Sequence, residues 1–166
     1  MSFFSGELNG QGISIDEKGN VYEGEFLNGK YTNFGLLNFF NEDSYLGQFL
    51  DGEFFGKGLL TKGFKIKSEE KIQNITHFNS FYEELINSSR ISLIQEQMKD
   101  THEIYFGDFI SNKRCGEGIL IKKTSIIEGK FMDDELKEEL NKKREEAEEI
   151  KENELEIKNN NEENSN

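Results

Sequence analysis

The stretch "YEGEFLNGKYTNFG", Tyr22 to Gly35, sets out as a β-strand and then departs from the habits of one. Tyr22, Gly24 and Phe26 occupy alternate positions, so in a pleated chain all three point to one side. Asn28-Gly29 follows at once, a strong signal for a two-residue turn between strands. Glycine weakens a strand interior, because it adds unfolded-state entropy and packs no side chain. Its place between two rings therefore asks for a reason.

Recurrence supplies one. Tyr45-Leu-Gly47-Gln-Phe49 and Tyr105-Phe-Gly107-Asp-Phe109 repeat the arrangement, and each first glycine is followed eleven residues later by another: Gly35, Gly58 and Gly118. Five residues after the first glycine stand Gly29, Gly52 and Asn112; nine after it stand Asn33, Gly56 and Gly116. Asparagine is among the non-glycine residues most tolerant of positive φ, so these positions share a backbone conformation. Phe4-Ser-Gly6-Glu-Leu8 opens the chain as a partial unit with a shortened loop before Gly10 and Gly12, and Ile127-Glu-Gly129-Lys-Phe131 restarts the pattern before it stops. The physical reading is a stack of antiparallel β-hairpins in which Gly24 leaves a gap for a neighbouring hairpin's ring. One hairpin is marginal alone; several in a row bury a continuous aromatic layer.

The pattern Tyr-x-Gly-x-Phe-x-x-Gly-x-x-x-Gly-x-Gly resembles the MORN repeat (membrane occupation and recognition nexus), carried here by residues 4–65 and 105–131. The resemblance implies a mainly β solenoid or ribbon with no catalytic centre. Where the family commonly has histidine before the third glycine, this chain has Thr32, Phe55 and Cys115, a packing position by the repeat's register.

Between the repeats the expected organisation is less regular. Residues 1–65 form hairpin repeats, 66–101 a partly helical insertion, 102–132 a further repeat, 133–158 a charged helix and 159–166 a disordered tail. Phe78, Phe81, Tyr82, Leu85 and Ile86 fall at helical spacing, with Ser80 and Glu83 at capping-box spacing and Ile91, Ile94 and Met98 on a following face. This helix either covers an edge of the stack or offers a docking face; "FKIKSEEKIQN" also reads as a degraded hairpin. From Asp133, helix formers dominate, and Leu136, Leu140, Ala147, Ile150 and Ile157 make a loose heptad. The segment is either a solvated single helix or a strand of a coiled coil with a helical partner for residues 134–158.

Charge narrows the partners. The formal net charge is −13, and fourteen acids against six bases after residue 132 supply −8 of it. Phosphate backbones are bound by Lys and Arg, and no basic stripe is present, which argues against nucleic acid and against an acidic membrane surface. No apolar run reaches the ~20 residues of a membrane helix. One cysteine, Cys115, allows no internal disulfide and suggests a reducing, cytoplasmic compartment.

Chemistry finds no candidate. His77 and His102 lack a second ligand at metal-binding spacing, and Cys115 reads as an inert buried thiol rather than a nucleophile. "GKG" at Gly56–Gly58 and "GEG" at Gly116–Gly118 belong to the hairpin register, not to a phosphate loop. Glu7, Glu25 and Asp108 recur opposite the aromatics as a solvated strand face. No catalytic, cofactor-binding or metal residue is expected.

What remains is structural and interactive. Gly24, Gly29, Gly35, Gly47, Gly52, Gly58, Gly107, Asn112, Gly116 and Gly118 define the repeat. Tyr22, Phe26, Tyr45, Phe49, Tyr105, Phe109, Phe54 and Phe55 are candidate partner contacts, with core packing as the competing reading. The loop aromatics Tyr31 and Phe34 are further candidates. The resemblance points to a non-enzymatic scaffold among other proteins of a multi-subunit cytoskeletal complex, with the ciliary axoneme and its radial spokes as a setting. Seventeen Asn and no Pro hint at an AT-rich genome, as in ciliates and apicomplexans. A membrane-tethering or phosphoinositide-binding module is the alternative that the resemblance also implies.

Overall fold

A computed structural model describes residues 2–4, 6–66, 92, 95–99 and 101–140 of this chain. Ten strands follow one another in sequence and in space: β1 Ser2–Phe4, β2 Glu7–Ile15, β3 Val21–Leu27, β4 Lys30–Asn38, β5 Ser44–Leu50, β6 Glu53–Lys62, β7 Glu103–Ile110, β8 Lys113–Lys122, β9 Ser125–Met132 and β10 Glu135–Glu139. They form one antiparallel sheet in the order β1 to β10, as the hairpin reading requires.

Turn chemistry decides the hairpins. Asn28-Gly29, Asp51-Gly52, Ser111-Asn112 and Asp133-Asp134 all have positive φ at both positions, from 47° to 90°. Paired positive φ makes the two-residue turn whose twist matches that of the flanking strands. Asn33, Gly56 and Gly116 are also positive, at 52°, 61° and 73°. They lie where the register slips, between Gly24↔Gly35 and Glu25↔Thr32 in the first hairpin and at the equivalent points of the next two. Each such bulge needs a residue that takes positive φ cheaply. The asparagine-for-glycine exchanges in the sequence mark these two conformations.

The strand glycines form a single row. Gly12, Gly24, Gly35, Gly47, Gly58, Gly107, Gly118 and Gly129 pair in turn across β2 to β9. Gly6, read in the sequence as the strand glycine of the opening unit, instead has a φ of +81° at the β1–β2 turn, and Gly12 takes the row position.

The insertion leaves the sheet unbroken, because Lys62 pairs directly with Glu103. No edge exists there for it to cover. Its described part folds onto the sheet: Met98, after a helical turn at residues 95–97, is buried against the second face beside Leu46, Leu59, Ile104 and Phe106, and Phe64 and Ile66 pack nearby. The helix expected over residues 78–86 lies outside the described residues, as do Ile91 and Ile94 of the following face.

The C-terminal expectation needs a larger correction. The charged helix expected from residue 133 does not begin there: Asp133-Asp134 is a turn and Glu135–Glu139 is strand β10. Leu136, read as a heptad position, pairs with Phe131 and lays its Cδ1 against Gly129. A weak helix propensity lost to a ladder and an apolar contact that the preceding repeat had prepared. This last hairpin has Glu138 where the others have a positive-φ bulge residue, and it slips by one residue less, pairing Gly129 with Glu139. Residues 141–166, with the rest of the expected helix and the tail, lie outside the described residues.

Candidate functional site

The glycine row explains the first face. The Tyr45 ring lies across Gly47 and Gly58, Tyr22 across Gly24 and Gly35, and Tyr105 across Gly107 and Gly118. The gap opened by the glycines is thus filled by the hairpin's own tyrosine, not by a neighbouring hairpin's ring as the sequence suggested. Flat on the backbone, each hydroxyl reaches past its glycine: Tyr22 and Tyr45 donate to the carbonyls of Glu25 and Gln48, both at 2.9 Å.

A second ring closes the first two tyrosines. Tyr31 stacks on Tyr22 at 3.7 Å between centroids and Phe54 on Tyr45 at 3.6 Å. Neighbouring hairpins then join edge to face, with Phe49 5.1 Å from Tyr22 and Phe109 5.1 Å from Tyr45. Edge-to-face contacts at this distance suit the ring quadrupole. In the third hairpin the stacking position holds Arg114, whose guanidinium lies 5.4 Å from the Tyr105 centroid and 5.5 Å from that of Phe131.

Seven of the eight candidate contact rings are therefore core: Tyr22, Phe26, Tyr45, Phe49, Phe54, Tyr105 and Phe109 are all buried. Phe55 alone is exposed, at 43%. Tyr31 and Phe34 sit in strand β4 rather than in a loop, and both are half-buried. Burial drives the phenols of Tyr22, Tyr45 and Tyr105 well above their ordinary pKa.

The second face divides into two halves. Toward the connections between hairpins, Leu36, Leu46, Leu59, Phe106 and Ile119 pair in sequence across five strands, under Met98 and Phe64. Toward the two-residue turns lie the carboxylates of Glu25 and Asp108, the expected polar face; Asp108 is bound to Lys57 Nζ at 2.9 Å. Cys115, expected to be buried, is half-buried on this side, and Thr32 is half-buried as well.

The remaining polar groups are held by the fold. His102 accepts from the Lys99 amide through Nδ1 at 3.2 Å and tilts against Phe64. Glu103 lies between Lys122 and Lys62, at 3.0 and 3.4 Å, below the root of the insertion. Burial raises its pKa, but the two ammonium groups outweigh burial and hold it below the ordinary carboxylate value. Among the described residues no three of His, Cys, Asp and Glu gather as a metal site. His77 lies outside the described residues. The reading by motif missed Arg114 and the exposed apolar residues beside the turns; counting positions from each repeat glycine singles out both.

Comparison with known proteins agrees with this geometry. The family model of the MORN repeat matches residues 22–44, 45–63 and 105–124, so the chain carries three MORN repeats. No curated protein matches the chain.

Proposed function

From a chain that carries three MORN repeats, a non-enzymatic module of interaction proteins, we propose a scaffold that binds other proteins within a cytoskeletal assembly. Its setting in this proposal is the ciliary axoneme, in a radial spoke or a similar complex. The observation that supports the scaffold reading is the glycine row spanning β2 to β9, with three tyrosines seated on it. Side chains and backbone lock together from β3 to β8, and one long surface is left beside the turns. Repeat sheets of this kind hold partners by extended surfaces rather than by pockets. The setting rests on the resemblance and on composition alone.

The test is to tag the full chain at its endogenous level, locate it, and identify what purifies with it. Structural proteins of an axoneme at a ciliary position are the expected result. Recovery of a kinase or methyltransferase as the principal partner overturns the scaffold reading. Salt-sensitive flotation with acidic vesicles favours the membrane-tethering alternative, which a chain of net charge −13 argues against.

A further inference from the structure

We propose that the turn-side half of the second face is a docking strip for a basic amphipathic α-helix of a partner protein; this rests on the scaffold reading and names the partner class. Leu27, Leu50, Ile110 and Met132 each stand three residues after the first glycine of a hairpin and end strands β3, β5, β7 and β9. All four point to the second face, and they are 56%, 50%, 54% and 57% exposed. Single exposed apolar residues are ordinary on any surface. Four at the same register position in four successive hairpins form a line. At the first turn the equivalent position is Phe4, which pairs with Glu7 as Leu27 pairs with Lys30.

Its spacing selects a helix. Strands lie ~4.8 Å apart, so every second strand places an apolar residue each ~10 Å and the line spans about 29 Å. A helix rises ~10.5 Å per seven residues and ~30 Å in twenty. An apolar stripe of heptad period laid across the strands therefore meets the line residue for residue. Phe55 on β6, 43% exposed on the same face, adds a ring between Leu50 and Ile110.

Its charge selects the partner's sign. Lys30 and Lys113, directly opposite Leu27 and Ile110, are taken by Asp51 and Asp133 at 3.3 and 3.1 Å, and Lys57 by Asp108. Glu25 instead receives hydrogen bonds from the neutral amides of Gln11 and Asn33. Glu53, opposite Leu50, has no basic partner among the described residues. The strip's lysines are spent on Asp51, Asp133 and Asp108, while Glu25 and Glu53 meet no base among the described residues, so it favours lysine and arginine beside the apolar stripe.

The experiment titrates the full chain with a synthetic helical peptide of about 21 residues. Its three heptads carry leucine at the apolar positions and lysine at the flanks, and anisotropy is the readout. The same peptide with glutamate flanks and a peptide of residues 141–158 serve as comparisons. The basic peptide is expected to bind, to weaken with salt, and to lose at least about tenfold on Leu50→Lys with Ile110→Lys. The strand-compatible pair Leu50→Thr with Ile110→Thr should lose several-fold with an unchanged urea midpoint. The strip is overturned by absent binding, by equal binding to both variants, by equal binding of the acidic peptide, or by preference for 141–158. Wild-type self-association relieved by the same variants assigns the line to a second copy and also overturns it. Purification of the wild-type and Thr-variant chains from cells separates the two readings. The same structural partners with both sinks the strip and spares the scaffold, whereas no structural partner with either sinks the scaffold.

Discussion

A β-carbon placed on Gly58 would stand 2.5 Å from Cε2 and Oη of Tyr45, because the tyrosine ring rests directly on the glycine backbone. Neither neighbour can yield: the ring is stacked under Phe54, and the strand is paired on both sides. Gly58→Ala is predicted to cost about 3 kcal/mol, the upper range for overpacking a core. Gly52→Ala gives the contrast. That turn glycine has φ +90° and nothing within 4 Å of a built β-carbon, so only backbone strain of about 1–2 kcal/mol applies. Urea midpoints at constant slope decide; equal losses at the two sites would mean that the ring does not depend on the bare backbone.

The buried phenols give the fold an alkaline limit. Burial is the main cause of the raised pKa at Tyr22, Tyr45 and Tyr105, with charge repulsion from Tyr31 and Glu25 added at Tyr22 and from Asp108 at Tyr105. A raised folded pKa means that unfolding releases protons once pH passes the unfolded value of 10.0. Stability is then complete below that pH and falls above it, by about 4 kcal/mol per pH unit for three groups together. Cooperative loss of circular dichroism coinciding with tyrosinate absorbance is the expected observation. Tyr45→Phe should remove about a third of the slope and cost about 1 kcal/mol near neutrality through the lost bond to the Gln48 carbonyl. Ionisation of all five tyrosines with an intact fold would contradict it.

The hairpins from β3 to β8 and their turns were legible in the sequence because glycine and asparagine stand where positive φ is compulsory. Which ring fills the space over Gly24 was not legible, since strand periodicity gives the side of a residue but not its χ angles. Tyr22 folds back over its own hairpin, and no spacing rule distinguishes that from a neighbour's insertion. Strand β10 was hidden for another reason. "DDELKEE" favours a helix locally, and only its continuation of the Phe131 register makes it a strand. The candidate contacts suffered from the same ambiguity: Phe54 and Phe55 are adjacent in sequence, yet one is core and the other surface.

Glu103 ties three strands together at the root of the insertion, pairing with Lys62 on β6 and Lys122 on β8. Its lowered pKa means that the folded state releases this proton more readily than the unfolded chain. The contribution is present above the ordinary value of 4.5 and is lost as pH falls through the folded value. Glu103→Gln should cost about 1 kcal/mol at pH 7, near the upper end for an exposed pair because two lysines share one carboxylate. The cost should shrink as pH falls through the folded value, below which the carboxyl is protonated in both the folded and the unfolded chain. A difference between wild type and variant that persists unchanged into acid would assign the effect to shape instead of charge.

Arg114 replaces the stacked ring of the other hairpins, and its chemistry shows why lysine cannot stand in for it. The guanidinium faces both Tyr105 and Phe131, while Nε reaches Asp134 Oδ1 at 3.2 Å and Nη2 reaches the Asp134 carbonyl at 2.8 Å. A planar fork serves both rings and both oxygens at once; an ammonium offers a point charge to one of them. Arg114→Ala should cost about 2 kcal/mol, combining a partly desolvated cation–π contact with a charge-assisted hydrogen bond. Arg114→Lys should recover less than half. Arg114→Tyr should recover more, because a ring there reproduces the stack that Tyr31 makes on Tyr22. The ranking Tyr above Lys above Ala in urea midpoint is the expected outcome. Lysine matching wild type would show that charge alone holds β8 and β9 together here, and that the third hairpin does not use the ring geometry of the first two.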